Sequence, residues 1–254
     1  MLLIAAFGLR ERRQISERRD ETPLVRAFLY TFSNRPFVRL IVAYFVLNMA
    51  FAFIKTLMAY FLIYQLGMEA QVSIVMGLML IFVVVSLFGW RWLAQRWNKG
   101  SAYALGMAIG AAAVTATFFL PAGPTPLVYV VAAIAGIGFG SQWVFPWAMV
   151  PDVVDYDRLH SGEQRTGTYF GVWGLATKAS EALAIAASGC ILSLFRYVPN
   201  VAQTEQTLLG IRLFFGPIPA ALIVLCLPLL IWYPITRASH RRILEQLASG
   251  ETKV

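Results

Sequence analysis

Four charged or amide side chains lie inside stretches of sequence that are otherwise apolar. Lys178 and Glu181 are three residues apart in one stretch, and Asn48 and Lys55 are seven residues apart in another. On a helix each spacing places both side chains on one face, where Lys178 and Glu181 can form an ion pair. Such residues can line a polar cavity or exchange a proton. The alternatives are a neutralised pair that only packs the helices, and a Lys55 side chain that reaches to the membrane interface.

Aromatic and amide side chains accompany these charges. Trp173 and Gly174 precede Lys178, and Gln142 and Trp147 lie in a third apolar stretch, just after several glycines. A tryptophan beside a glutamine can hold a sugar ring by stacking and hydrogen bonding, whereas glycines allow helices to pack closely. For the tryptophans, a role in binding a sugar and a role in helix packing both stay open. The candidate cavity residues are Asn48, Lys55, Gln142, Trp147, Trp173, Gly174 and Lys178, with Glu181 as the ion-coupling candidate.

A charged segment follows the third of these stretches. Residues 151–166 contain three aspartates within six positions, which would suit a divalent cation that prefers oxygen ligands. The calcium-loop pattern is absent, however, and two arginines are at hand as partners. We therefore expect this loop to be a salt-bridged gate or hinge, formed by Asp152, Asp155 and Arg165, and we expect no metal.

Signatures of catalysis or of a bound cofactor are missing from the sequence. The only histidines, His160 and His240, are far apart, and neither a serine elbow nor a phosphate-binding loop occurs. The two cysteines, Cys190 and Cys226, lie in apolar stretches without metal-ligand spacing, so we expect neither a disulfide nor a metal site. An enzyme is not indicated.

Six apolar stretches must position the candidate residues. Each is long enough for a helix that crosses a bilayer, which takes about 20 residues. They cover residues 37–66, 70–93, 101–120, 127–150, 168–195 and 211–234. The 254 residues are 59% hydrophobic and only 13% charged, and the mean hydropathy is +0.66, so too little polar surface exists to cover a soluble domain. We predict an all-α integral membrane protein with a six-helix bundle over residues 37–235.

Basic residues fall on alternate connections between these stretches. Sixteen Lys or Arg residues lie in segments 10–36, 91–99, 151–166 and 236–254. One lies in the opposite connections 67–69, 121–126 and 196–210. Because positive loops stay in the cytoplasm, we predict a multi-pass protein of the cell (inner or plasma) membrane with both termini cytoplasmic. The net charge of +8 is thereby explained without nucleic acid, and the lipid bilayer is the expected partner.

The two ends of the chain carry no predicted domain. Residues 1–8 are apolar but too short to span a bilayer, and arginines follow them, which is the wrong order for a signal peptide. We interpret residues 1–36 as the remnant of a preceding helix with a basic cytoplasmic segment. Residues 236–254 form a basic cytoplasmic tail, too short and too charged to fold alone.

Seven short motifs, spread over nearly the whole chain, resemble one transporter family. They are residues 34–37 (NRPF), 146–157 (PWAMVPDVVDYD), 161–167 (SGEQRTG), 169–174 (YFGVWG), 197–200 (YVPN), 210–212 (GIR) and 233–237 (YPITR). Together with Lys178 they resemble the glycoside–pentoside–hexuronide:cation symporters, which include the melibiose permeases and belong to the major facilitator superfamily.

The resemblance implies a fold and roles for some residues. Family members have twelve helices in two six-helix halves with the substrate between them, and this chain resembles the C-terminal half, helices seven to twelve. Lys178 matches the lysine that connects the sugar and cation sites, or that meets the headgroup in lipid-carrying relatives. Two positions depart from the family. Thr166 replaces an acidic residue, and Glu181 replaces an apolar or small one.

The resemblance also implies a function. We expect cation-coupled symport, with Na⁺ or H⁺, of a glycoside or related sugar by alternating access. The acidic residues that bind the cation in the family belong to the first half, so an N-terminal transporter half or a second copy of the chain is a possible partner. The alternatives are a truncated or half-transporter fragment with no transport activity of its own, and a lipid or lysolipid carrier of the same superfamily.

Overall fold

Eight α-helices make up most of the described part of the chain. The computed structural model describes residues 30–163 and 165–249. The helices are α1 Arg35–Tyr60, α2 Val72–Arg96, α3 Lys99–Ala116, α4 Leu127–Ser161, α5 Thr166–Leu194, α6 Glu205–Phe215, α7 Pro217–Ile231 and α8 Arg237–Ser249. The expected helix remnant and most of the basic segment before α1 lie outside the described residues, as do residues 250–254 of the tail.

Six segments among the described residues are long and apolar enough to cross a membrane. Five of them correspond to α1 to α5, where α1 continues through a π-helical turn, Phe61–Gln65. The sixth consists of α6 and α7 together, which are separated by Gly216 alone, since α7 begins at Pro217. The expected all-α membrane bundle with six spanning segments is confirmed.

The fourth spanning helix is longer than the sequence pattern predicted. Its apolar part ends near residue 150, but α4 continues through Pro151 to Ser161. It ends at Gly162, whose left-handed conformation (φ 71°) is the usual helix terminator. The expected loop at 151–166 is therefore mostly helical. Its charged composition suggested a loop, yet two of its aspartates find partners on neighbouring helices, so the helix need not end where the apolar residues do.

The C-terminal tail also differs from expectation, because residues 237–249 form α8. This helix is amphipathic and packs against α4, with Ile243 buried. Its first backbone N–H donates to the Asn98 side chain, which lies just before α3. Packing on the bundle supplies the stability that a short charged helix lacks in isolation.

Close helix contacts surround α4, the helix that packs against both α2 and α3. A Cβ atom on Gly138 would overlap the backbone of Gly110 on α3, and one on Gly136 would overlap the backbone of Met79 on α2. Glycine is therefore required here by the approach of the backbones. This supports the packing interpretation of the glycines in α4.

Two outer faces of the bundle differ in chemistry. The exposed face of α2 is apolar and includes Ile81, Val85 and Phe88, as expected of a surface that meets lipid. The exposed face of α5 is mixed, because it carries Gly174 and Lys178 together with apolar residues such as Leu175 and Ile185. Helix α1, largely buried, lies beside α5 and positions the residues described next.

Candidate functional site

A polar seam joins α1 and α5. The Asn48 side-chain amide donates to Ser180 Oγ (2.8 Å) and to the Thr177 carbonyl oxygen (3.4 Å). One turn earlier on α1, the Tyr44 hydroxyl lies 3.2 Å from Thr177 Oγ1. Asn48 thus belongs to the predicted polar face, but its amide is engaged in helix packing.

Three charged side chains meet at the open edge of this seam. The Lys178 ammonium lies 3.4 Å from Glu181 Oε2, and the Lys55 ammonium lies 4.0 Å from Glu181 Oε1. The expected pair on α5 is therefore present, and Lys55 joins it from α1. We call these residues the Lys55–Glu181–Lys178 triad. Lys55 also lies 5.2 Å from the centre of the Phe51 ring.

The triad lies far from the ends of α5 and is poorly covered. Lys178 and Glu181 are the thirteenth and sixteenth of the 29 residues in this helix. The Lys178 side chain is 82% exposed and that of Lys55 is 49% exposed. Charged groups at this depth cannot face hydrocarbon without a large energetic cost, so this face requires water or further protein beside it.

The two candidate tryptophans lie in different environments. Trp173 is 1% exposed and stacks on Tyr44, with the ring centres 3.9 Å apart, so it is part of the α1–α5 interface. Trp147 is 56% exposed and lies parallel to Phe170 on α5, with the ring centres 6.4 Å apart. Trp147 is therefore the tryptophan of the two that can contact a solute without rearrangement. Gly174 has open space where a side chain would be.

Gln142 is buried between α3 and α4. Its Oε1 accepts a hydrogen bond from the Tyr103 hydroxyl, and its Nε2 has no partner within the described part of the chain. Buried amides normally make their hydrogen bonds, so the Gln142 Nε2 group is an unpaired donor in this interface. Among the described residues, neither a hydrogen bond nor an ion pair joins Gln142 to the triad.

A second polar cluster lies where α3 begins and α4 approaches its end. The Lys99 ammonium contacts both carboxylate oxygens of Asp152, at 2.8 and 2.7 Å. His240 Nε2 of α8 lies 3.5 Å from Asp152 Oδ1 and 3.0 Å from Asp155 Oδ2. We call this the Lys99–Asp152–His240 cluster. Burial raises the pKa of the nearby Tyr233 phenol, and the Asp152 carboxylate adds to this effect, so the hydroxyl stays protonated at neutral pH.

Arg165 does not join the two aspartates with which it was grouped. It pairs with Glu163, and its guanidinium lies over the Tyr30 ring at 3.9 Å. The physical reason is that α4 extends to Ser161, which directs Asp152 and Asp155 toward α3 and α8. Arg165 lies beyond the turn at Gly162, just before α5. The three residues therefore do not form one salt-bridged group.

Several contributors to these clusters were not singled out from the sequence. Thr177 and Ser180 flank Lys178 closely, and on a helix they face α1 with Asn48, so helical spacing could have indicated them. Lys99 and His240 offered no such signal, because their partners are distant in the sequence. Within residues 30–163 and 165–249, no group of three or more His, Cys, Asp or Glu side chains is arranged to hold a metal ion.

Comparisons with known proteins add a family and several relatives. Residues 1–237 match the family model described as MFS/sugar transport protein. An uncharacterized symporter of Synechocystis is 32% identical over 239 residues, covering 91% of this chain and 44% of the relative. The sodium-dependent lysophosphatidylcholine symporter 1 of Gallus gallus is 24% identical, covering 94% and 46%. The sphingosine-1-phosphate transporter MFSD2B of Xenopus tropicalis is 25% identical, covering 86% and 43%. The chain spans less than half the length of these relatives.

Proposed function

The chain belongs to the MFS/sugar transport protein family, and we propose that it forms one six-helix half of a cation-coupled symporter that works by alternating access. The observation that carries this proposal is the Lys55–Glu181–Lys178 triad on the open face of α1 and α5. In a bundle that only had to be stable, apolar residues would serve better at this depth than a partly paired cluster of charges. A transporter, in contrast, needs polar groups beside a water-filled cavity.

We place these helices in the C-terminal half of the carrier. The motifs around Pro146 to Lys178 resemble helices ten and eleven of the family, and six spanning segments are the number that one half contains. Six further helices would face α1 and α5 across the cavity. They can belong to the same polypeptide, to a separate N-terminal half or to a second copy of this chain. An even number of spans puts both ends of the bundle on the same side of the membrane. The distribution of Lys and Arg supports the cytoplasmic side of the cell membrane for both.

The first substrate class we propose is a glycoside or related sugar. The exposed indole of Trp147, near Phe170, offers an apolar ring surface of the kind that stacks on a sugar. Lys178 and Lys55 provide hydrogen-bond donors at the triad. Asn48 and Trp173 support the site from behind, because both are buried in the α1–α5 interface, whereas Gln142 is buried between α3 and α4.

A lysolipid is the second candidate substrate. Two of the relatives are named for lysophosphatidylcholine and sphingosine-1-phosphate, both of which combine an acyl or alkyl chain with a phosphate. A small cavity of about 30 Å³, lined by apolar side chains and by Thr117, lies beside Ile54 and Met58 on α1. Ile54 directly precedes Lys55 in the sequence and Met58 lies one turn after it, so an apolar surface is close to the Lys55 ammonium group.

Coupling to Na⁺ or H⁺ is proposed because symporters of this family use a cation, and one relative is named as sodium-dependent. Glu181 is the candidate residue within this half. Both of its carboxylate oxygens face an ammonium group, at 4.0 and 3.4 Å, so a bound cation would compete with the two lysines for Glu181. In a complete carrier, Glu181→Gln should change the dependence of uptake on the Na⁺ or H⁺ gradient. Unchanged coupling would exclude Glu181 and leave the cation site to the other half.

Uptake measurements test the transport proposal directly. Labelled glycosides and lysophosphatidylcholine are offered to vesicles that contain this chain alone, and to vesicles in which an N-terminal half from a full-length relative is co-expressed. Uptake only in the second case supports a carrier built from two halves. Uptake by the chain alone supports a homodimer with its own site. Absence of uptake in both, with membrane insertion verified, contradicts transport by this chain and favours a fragment without activity.

A further inference from the structure

Arginine and tryptophan side chains surround the junction where α2 ends, α3 begins and α7 passes into α8. The Arg96 guanidinium lies over the Trp92 ring, 4.4 Å from its centre. The backbone N–H of Arg237, the first residue of α8, donates to Asn98 Oδ1 (3.3 Å), two residues beyond Arg96 in the chain. This hydrogen bond brings the start of α8 to the end of α2. We call the arginines and tryptophans at this junction the rim cluster, which consists of Trp92, Arg96, Trp97, Trp232 and Arg237.

The positive charge of the rim cluster is not neutralised by the carboxylates around it. Residues 70–151, which include all of α2 and α3, contain no Asp or Glu. Asp152 of α4 and Glu245 of α8 already have basic partners. Arg96 and Arg237 are exposed, and within residues 30–163 and 165–249 neither of them forms an ion pair. Two guanidinium groups are therefore available to an anion from outside the described chain.

The three indole rings of the rim cluster indicate its depth in the membrane. Each is more than half exposed. Trp92 lies in the last five residues of α2, Trp97 directly follows α2, and Trp232 directly follows α7. Exposed tryptophans at the ends of spanning helices lie at the level of the lipid headgroups, because the ring is apolar and its N–H is polar. The two arginines are therefore at the level of the lipid phosphates.

We propose that the rim cluster is a binding site for the phosphate group of an anionic phospholipid, such as phosphatidylglycerol, in the leaflet at this end of the bundle. Arg96 and Arg237 donate to the phosphate oxygens, since the planar guanidinium group matches phosphate geometry. The indoles of Trp97 and Trp232 contact the glycerol region of the lipid. The bound phosphate joins the end of α2 to the start of α8, independently of the Lys99–Asp152–His240 cluster. The site does not depend on the transport function.

A defined site differs from the general attraction between basic segments and an anionic membrane. General attraction depends on the number of positive charges near the surface and not on which arginine supplies them. Arg158 is the matched control, because it is an exposed arginine near the end of α4 without an ion pair in the described part of the chain. Arg96→Lys keeps the charge and loses the planar fork, so it separates charge from geometry.

The test is lipid binding by the purified full chain in detergent, measured by native mass spectrometry. The probes are phosphatidylglycerol and phosphatidylcholine with identical acyl chains, and the unaltered chain should prefer phosphatidylglycerol. Arg96→Gln and Arg237→Gln should each weaken phosphatidylglycerol binding about fivefold. Arg96→Lys should weaken it less, and Arg158→Gln should leave it unchanged. Thermal unfolding of each variant verifies that a lost lipid does not reflect a lost fold.

Three results would overturn the lipid site. Equal weakening by Arg158→Gln would show a diffuse attraction of charges. Equal binding of the two lipids, or a preference for phosphatidylglycerol that survives the double variant Arg96→Gln/Arg237→Gln, would show that the rim cluster does not select the phosphate of an anionic lipid. Displacement of the bound lipid by soluble glycerol phosphate would assign the two arginines to a soluble phosphate compound instead.

Discussion

The ammonium nitrogen of Lys55 on α1 lies 4.0 Å from the Glu181 carboxylate on α5, across the interface of two neighbouring helices. The other interhelical lysine pair in the described part of the chain, Lys99 with Asp152, is at 2.7 Å and its carboxylate is only 5% exposed. One pair is long, open and shared with a second lysine. The other is short and enclosed. We infer that the first is exchangeable and that the second holds α3 against α4.

Loss of Lys99 should therefore destabilise the bundle. Lys99→Met leaves the Asp152 carboxylate buried with only His240 beside it, and we expect a loss of about 3 kcal/mol of unfolding free energy. The double variant Lys99→Met/Asp152→Leu removes both charges and should recover much of this loss. Thermal unfolding of the purified protein in detergent measures both effects. Arg241→Ala, which removes an exposed pair within α8, should stay within about 0.5 kcal/mol. Equal stability of Lys99→Met and this control would show that the short pair is not structural.

Substitution of the two tryptophans should affect different properties, stability for Trp173 and substrate uptake for Trp147. Trp173→Ala removes a fully buried ring stacked on Tyr44, and we expect a loss of about 3–5 kcal/mol in stability. Trp147→Ala removes an exposed ring, so stability should change by about 0.5 kcal/mol or less. Its effect should appear in sugar uptake, as a higher KM. The pair of measurements is thermal unfolding and concentration-dependent uptake in the complete carrier. A destabilised Trp147→Ala protein with an unchanged KM would assign this ring to packing.

His240 should hold α8 on the bundle. His240→Ala removes the contacts to Asp152 and Asp155, so α8 should detach and unfold more often, which makes the peptide bonds after its arginines accessible to a protease. Limited digestion with trypsin should then cleave the tail several-fold faster than in the unaltered protein. His160→Ala is the matched control, because in the described part of the chain His160 contacts the Tyr156 carbonyl and ring within its own helix. Identical cleavage rates for both variants would mean that the apolar contact at Ile243 suffices.

The predicted orientation can be read from single cysteines. In a background with Cys190 and Cys226 replaced by Ala, Asn200→Cys lies between α5 and α6 and Ala248→Cys lies in α8. A membrane-impermeant thiol reagent added to intact cells should label the first and leave the second unmodified until the membrane is opened. The physical basis is that the segments rich in Lys and Arg stay in the cytoplasm. The reverse labelling pattern would show that the bundle has the opposite orientation in the membrane.

Amino-acid order alone determined the number of spanning segments, since a long apolar run can satisfy its backbone hydrogen bonds within itself in a bilayer only as a helix. It also determined the Lys178–Glu181 pair, because a spacing of three residues on a helix is a local geometric relation. Where helices end was less well determined. α4 extends past Pro151 because Asp152 finds Lys99, a partner 53 residues away in the chain.

Tertiary structure decided which of the marked residues share a site. Lys55 and Glu181 are separated by 126 positions, and no local pattern reports that α1 lies beside α5 at that height. The same holds for Trp173, whose burial depends on Tyr44, and for His240, which meets Asp155 only when α8 folds back on α4. Local sequence sets the face on which a side chain lies. The packing of helices, driven by the close approach at residues such as Gly138, sets what that face meets.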